Sequence, residues 1–297
     1  MFQKSKFAAF IIIFFGIFSL SATVFAQDAE KRAVNSGKPE AKPEAKKQVK
    51  KEKPKKPEKQ PKFDANSLTA EQLAEAVILV YGRRESLATI RKTELENGEM
   101  LRFAPDGTTV SEKSSYERRI VRGENQEKDR IRLDQKLSAA QYALVYDQNK
   151  VFGIFNNTTF VPREEADRGF QASIFHNIDS LLRYKENGST LKLAGKDKQM
   201  GVEFFQLDVT DKENRTTRFN ISTKLYRVQS LEYNFSPTAA GVPVKYMRKF
   251  YDYRNAQGTF VAWRTVLFTD GKPVEETNVS TIRYGTKIED TDFQSGE

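Results

Sequence analysis

One histidine, no cysteine and scattered carboxylates are all that this 297-residue chain offers for catalysis. His176 lies between Phe175 and Asn177 in a helical pattern. As a metal ligand or general base it would need partners, and no second imidazole or thiol exists to supply them. A structural or surface histidine is the simpler reading. The carboxylate pairs Glu164-Glu165, Glu275-Glu276 and Asp290 with Asp292 fall at helix starts or in turns, where acids are expected as solvated groups. A glycosidase-like pair drawn from distant acids is not visible from spacing along the chain. There is no nucleophile elbow, phosphate loop or dinucleotide fingerprint, and Gly195-Lys196 lacks the rest of a phosphate loop. The expectation is therefore no enzyme, no metal and no cofactor.

The basic residues are more informative. Arg118, Arg119 and Arg122, then Arg130 and Arg132, crowd two neighbouring strand patterns beside Glu117, Glu124 and Asp134. One reading is a solvent-facing ladder of ion pairs, each contributing about 0.2–1 kcal/mol. The other turns Arg118 or Arg119 inward, as a gate or as an anchor for an acidic ligand head.

The elements that position these residues follow from periodicity. Ser67 or Thr69 can cap a first helix whose apolar stripe is Leu73, Ala76, Val77, Val80 and Tyr81, ending near Gly82. Alternating segments near 88–103, 110–122, 129–137, 141–147 and 150–156 predict strands. A second helix spans Glu164 to about Lys185, with Phe170, Ile174, Ile178, Leu181 and Leu182 on one side. Strands are then expected near 190–194, 200–210, 215–223, 226–235, 244–254, 259–269 and 275–284. Glu96-Asn97-Gly98, Gly195-Lys196-Asp197-Lys198 and Asp270-Gly271-Lys272 are among the turn signals. Connections this short allow antiparallel neighbours but not parallel crossovers.

Several strands are apolar on both faces. Phe205, Leu207 and Val209 oppose Val202 and Phe204; Tyr246 and Phe250 oppose Met247, Tyr251 and Tyr253. Such strands need cover on both sides, or a cavity with cover on one. Two helices cannot shield both faces of a flat sheet, so the pattern predicts a sheet curled around helical cover with an apolar concave side. The expected lining is Phe204, Phe205, Leu207, Phe219, Ile221, Leu231, Tyr233, Phe235, Phe250, Trp263 and Val266, with Arg118 or Arg119 as the polar member.

Residues 1–26 read as a secretory signal, with Lys4 and Lys6, an apolar stretch from Phe7 to Leu20, and Val24-Phe25-Ala26 before Gln27. An uncleaved inner-membrane anchor is the rival reading. Residues 27–64 form a Lys/Pro-rich stretch that cannot bury enough apolar surface to order, and read as a disordered linker. It carries 13 Lys and Arg against 7 Asp and Glu, so much of the formal +9 resides there. Beyond it stand 34 basic and 33 acidic residues, and that near neutrality argues against nucleic acid as a partner. The body, 65–297, is expected to be one domain and a monomer.

The order of these elements, together with Tyr142–Asp147 beside Val151–Phe155, Phe250-Tyr251-Asp252-Tyr253-Arg254, Gly258, Trp263-Arg264 and Ile288-Glu289-Asp290 leading to Asp292-Phe293, resembles the LolA lipoprotein carriers and their relatives LolB and RseB. The resemblance covers about Leu68 to Phe293. It implies an α+β fold: a single strongly curved antiparallel sheet of about 11–12 strands, an open half-barrel with a helical lid or plug over a hydrophobic cavity. The family's inner-face arginine precedes a proline; Arg118 and Arg119 are the nearest matches, but Ile120 follows and no proline is near. By this resemblance the chain is a periplasmic, non-enzymatic carrier of lipid or acylated polypeptide that works with inner- or outer-membrane envelope proteins. The alternative is an RseB-like envelope sensor whose concavity receives a protein segment.

Overall fold

A computed structural model describes residues 68–199 and 201–294. The signal and linker readings for residues 1–64 lie outside them. Four α-helices are present among the described residues: α1 (Ala70–Tyr81), α2 (Arg84–Ile90), α3 (Glu164–Phe175) and α4 (Ile178–Leu182). The strands before α3 are β1 (Thr93–Phe103), β2 (Val110–Val121), β3 (Arg130–Lys136), β4 (Gln141–Asp147), β5 (Lys150–Phe155) and β6 (Thr158–Phe160). After α4 come β7 (Thr190–Gln199), β8 (Val202–Thr210), β9 (Thr216–Ser222), β10 (Val228–Phe235), β11 (Val244–Ala256), β12 (Thr259–Thr269) and β13 (Lys272–Tyr284).

All thirteen strands form one antiparallel sheet in the order β6-β5-β4-β3-β2-β1-β13-β12-β11-β10-β9-β8-β7. Every neighbour in the sheet is also a neighbour in sequence except one pair. The first and last strands, β1 and β13, meet in the middle. The sheet is curved and open, with β6 and β7 as its two edges, so the α+β architecture expected from the sequence is the one observed. The sheet has one more strand than the twelve segments predict, because β6 has only three residues and no alternation to reveal it.

Helix α1 starts with a capping box in which the Thr69 hydroxyl accepts from the Gln72 N–H and the Gln72 side chain accepts from the Thr69 N–H. It ends at Gly82, whose φ of 139° suits glycine and lets its N–H reach the Ile78 and Leu79 carbonyls. Leu73, Ala74, Val77, Ile78 and Tyr81 of α1 pack on Phe205, Leu207, Phe219, Ile221, Leu231 and Phe250, the largest core of the protein. A second cluster joins Phe170, Ile174 and Phe175 of α3 to Ile120, Ile131, Leu144 and Tyr146 on the other half of the sheet. A third lies behind that half, where Phe293 of the C-terminal turn (Asp290–Phe293) covers Ala143, Val145 and Ile154. Strand β4 is thus apolar on both faces because both are covered, Leu144 and Tyr146 by α3 and Ala143 and Val145 by the chain end.

Five local differences from the sequence reading have plain causes. The seven residues of α2 bury only Leu87, too weak a stripe to separate from the strand that follows. The second helix is broken at His176-Asn177, because the Asn177 side chain caps α4 by accepting from the Ser180 N–H while its amide donates to the Ile174 carbonyl. Asn97-Gly98 is not a turn but an irregularity within β1. A Cβ on Gly98 would stand 2.2 Å from the Asn278 carbonyl and 2.8 Å from the Tyr116 ring. The Gly195 turn likewise is a bulge within one long β7. Finally, Tyr253 sides with Phe250 rather than with Tyr251, since Asp252 between them has φ 51° and resets the alternation.

Candidate functional site

The space between α3–α4 and the central strands is not filled. A cavity of about 190 Å³ lies there, lined by residues of β1, β2, β3, β11, β12 and β13 and by one side of α3 and α4. Its apolar wall includes Met100, Ile120, Leu133, Ile174, Ile178 and Phe250. The alternation of β2 sets its charged wall, because Arg118, Ile120 and Arg122 share the inner face.

Those arginines meet carboxylates in phase with them on β1. Arg118 donates to Glu96 at 2.9 Å and to Glu94 at 3.3 Å. Arg122 donates to Glu94 at 2.8 Å and, through Nε, to Asp179 of α4 at 2.8 Å. Arg91, just after α2, donates to the other Asp179 oxygen at 2.9 Å and to the Thr259 hydroxyl at 3.0 and 3.2 Å. The Tyr116 hydroxyl donates to Glu96 at 2.7 Å over the gap that Gly98 leaves. Three guanidiniums are thereby matched to three carboxylates, and a buried network of this kind holds only while every member is paired. Asp179 is the tie between this network and the helical cover.

The network sets its own protonation. Burial works against ionisation of Asp179, but Arg122, Arg91 and Arg183 outweigh it and hold the carboxyl well below the usual range. Burial likewise opposes the charge on Glu94, where Arg122 and Arg118 prevail and lower it. At Glu96 burial wins over Arg118 and pushes the carboxyl up. Burial, then the Glu96 charge, raises the Tyr116 phenol, so it stays a donor. His176 belongs to the joint between α3 and α4. It stacks on Tyr233 with ring centres 4.1 Å apart and shares a 2.7 Å hydrogen bond with Thr217. Burial and the nearby Arg215 push it down to about 4, so the imidazole is neutral.

The residues singled out from the sequence fall into distinct places. Arg118 and Phe250 line the cavity. Arg119 faces the other way and pairs with Glu117 and Asp134. On that outer face Arg130 pairs with Asp290 and Arg132 donates to the Asp292 carbonyl, clasping the C-terminal turn. The ion-pair ladder therefore lies on the outer side of β2, and Arg118 is the member turned inward, where it is paired to Glu94 and Glu96. Phe205, Leu207, Phe219, Ile221, Leu231 and Tyr233 are on the concave side but in the packed core, where α1 already occupies the hollow. Phe235 is partly buried against Tyr233 and Tyr246. Phe204 and Val266 are buried one position away from Phe205 and Thr265, on the opposite face. Trp263 lies under the Arg254 guanidinium, 4.4 Å from its ring centre.

Sequence reasoning passed over Arg91, Glu94, Glu96, Tyr116 and Asp179. The signal for the glutamates was charge recurring every second residue before Gly98, in phase with buried positions. Asp179 gave none, since an acid in a first helical turn is ordinary. Among the described residues no His, Asp and Glu group is arranged to hold a metal ion, and no helix is long and apolar enough to cross a membrane.

Comparison with known proteins places this fold. No family model matches the chain, and no curated protein matches it. Solved structures do. A domain assigned to outer membrane lipoprotein sorting from Vibrio parahaemolyticus is 14% identical with a TM-score of 0.51, over 76% of this chain and 97% of that one. A DUF1329 family protein from Desulfovibrio piger is 11% identical with a TM-score of 0.54, over 76% and 97%. A LolA superfamily protein from Nitrosomonas europaea is 9% identical with a TM-score of 0.51, over 77% and 98%. The likeness is one of fold, and it bears out the layout seen in the sequence: an open, curved antiparallel sheet with helical cover, shared with these structures.

Proposed function

We propose that the domain is a periplasmic, non-enzymatic carrier that holds the acyl chain of a lipid or an acylated polypeptide in the cavity between α3–α4 and the sheet. The single observation that carries this reading is that hollow, set beside the apolar core that α1 packs on the other half of the sheet. Its 190 Å³ is below the roughly 300–1,000 Å³ of most ligand sites. A long chain therefore enters by displacing the α3–α4 cover, which is hinged at His176-Asn177 and tied down through Asp179. Each methylene moved from water to the apolar wall contributes about 0.8 kcal/mol. Arg118 lines this space, bound to Glu94 and Glu96 of β1.

Native mass spectrometry of the full chain, purified gently from cell envelopes, tests the proposal. The expected spectrum contains a bound lipid-sized adduct that a Thr277→Phe substitution, which fills the hollow from β13, reduces severalfold. Adduct-free spectra of the unaltered protein would sink it. Recovery of one cross-linked protein in place of lipid would replace the acyl chain by a protein segment.

A further inference from the structure

The carrier reading leaves open which amphiphile fits, and the charges around the cavity narrow it. We propose that the ligand carries an anionic head group, received by Arg248 at the β11 end of the cavity. This rests on the proposed function and deepens it.

Four arginines line the cavity. Arg91, Arg118 and Arg122 are bound by Asp179, Glu94 and Glu96 as described. Arg248, on β11, has neither ion pair, hydrogen bond nor ring contact among the described residues. Across the sheet its row runs through Leu267 to Glu275. That carboxylate is two strands away and turned toward Arg102 of β1, 3.9 Å from its guanidinium. Arg248 is thus a partly buried cation with its acceptor missing. Its field reaches inward, since it is among the charges that keep the His176 imidazole neutral. A second donor is also unused: the Nε of Arg118 is buried without an acceptor at the other end.

The register gives the distance between these ends. The row of Arg248 and Glu275 crosses β1 at Arg102, and the row of Arg118 crosses it at Glu96. At a rise of about 3.3 Å per residue these rows are roughly 20 Å apart along the strand. Between them the cavity presents Phe250, Thr265, Thr277, Met100 and Val279, none of which is charged. The lining is therefore polarised: a free cation at one end, an uncharged middle, and a neutralised network at the other end.

An amphiphile laid along this axis places its chain over the uncharged rows and its head at Arg248. A neutral lipid in the same place would cover that guanidinium and leave it without an acceptor, which is unfavourable for a desolvated charge. The guanidinium fork accepts carboxylate and phosphate oxygens alike, so a fatty acid and an acidic phospholipid share the required chemistry.

Titration of the full chain with amphiphiles of one chain length tests this. The probes are palmitate, palmitoyl lysophosphatidylglycerol and monopalmitoylglycerol, with glycerol 3-phosphate as the head without the chain. Both anionic amphiphiles are expected to bind about tenfold or more tightly than the neutral one, in line with one charge-assisted hydrogen-bonded contact. Glycerol 3-phosphate alone should bind far more weakly. Arg248→Gln should bring the three amphiphiles to one affinity, and Arg248→Lys should restore part of the difference. Preference for only one anionic probe would support the inference and identify the head as carboxylate or phosphate. Equal affinities in the unaltered protein, a preference that survives Arg248→Gln, or glycerol 3-phosphate binding as tightly as the lysolipid would each overturn the inference. The comparison of probes on the unaltered chain needs no variant to fold. Failure of every amphiphile to bind would overturn the carrier reading itself, an outcome distinct from binding without preference.

Discussion

The two halves of this sheet are covered by helices in opposite ways. Beneath α1, strands β7–β12 meet an apolar helix stripe, and Leu73, Leu207, Phe219, Ile221 and Leu231 are wholly buried. Beneath α3–α4, strands β1–β3 meet a helical cover that is apolar on α3. Helix α4 packs Leu181 and Leu182 into the α1 core and is tied to the sheet at Asp179 by guanidiniums. Dry packing has no orientation requirement and closes over whatever space is there. A salt-bridged tie fixes distance and angle, and so can hold a cover above a hollow without filling it. The difference separates a packed region from one with a hollow within one continuous sheet.

Three measurements can break or sharpen that contrast. The largest effect is expected from Asp179→Ala, which leaves Arg91 and Arg122 short of a carboxylate. The loss should approach the top of the roughly 3–5 kcal/mol typical of a broken buried pair, read as a shift in urea midpoint. Release of a bound fluorescent fatty acid should also quicken, because the tie to α4 is gone. If stability falls but release does not change, Asp179 is not the fastening of the cover.

Leu73→Ala removes a wholly buried side chain from the other half. It is expected to cost about 3–4 kcal/mol, with no change in ligand release. Faster release from this variant would mean that the two halves are coupled, and the contrast between them would fail.

The smallest effect is a pH dependence. His176 titrates near 6.5 in the unfolded chain but only at about 4 when folded, because it is buried. Below 6.5 the unfolded chain takes up a proton that the folded one refuses. The stabilisation is therefore complete above that pH and is lost progressively as pH falls toward 4. About 2 kcal/mol should disappear between pH 7 and pH 4.5. His176→Gln should flatten that part of the curve, while the carboxylate-driven loss at lower pH remains. An unchanged slope in the variant would place the proton uptake elsewhere.

Much of the fold was legible because it is local. A cap at Ser67 or Thr69, an apolar stripe and Gly82 announce α1, with Thr69 the cap that the structure uses. Strand β4 has the predicted bounds. The short polar connections dictate antiparallel neighbours, and they account for every pairing but one. The pairing of β1 with β13 is different, since nothing near Glu94 indicates that it lies opposite Tyr284.

The site was legible only in part. Arg118 was named from its sequence, but its neighbour Arg119 was named with it, because a single strand taken alone does not show which face is inward. Phe250 lines the cavity, whereas Phe205, Phe219 and Tyr233, grouped with it from the sequence, lie in the core packed with α1, and Phe204 faces the other way.

The amino-acid order thus determined the helices, the strand alternation and the antiparallel sequence of neighbours, since caps, turns and periodicities act over a few residues. Tertiary structure alone decided which half is packed and which is hollow, which arginines are matched, and that Arg248 is not. Those outcomes depend on side chains brought across the sheet from distant positions, where burial and charge pairing have no counterpart in sequence spacing.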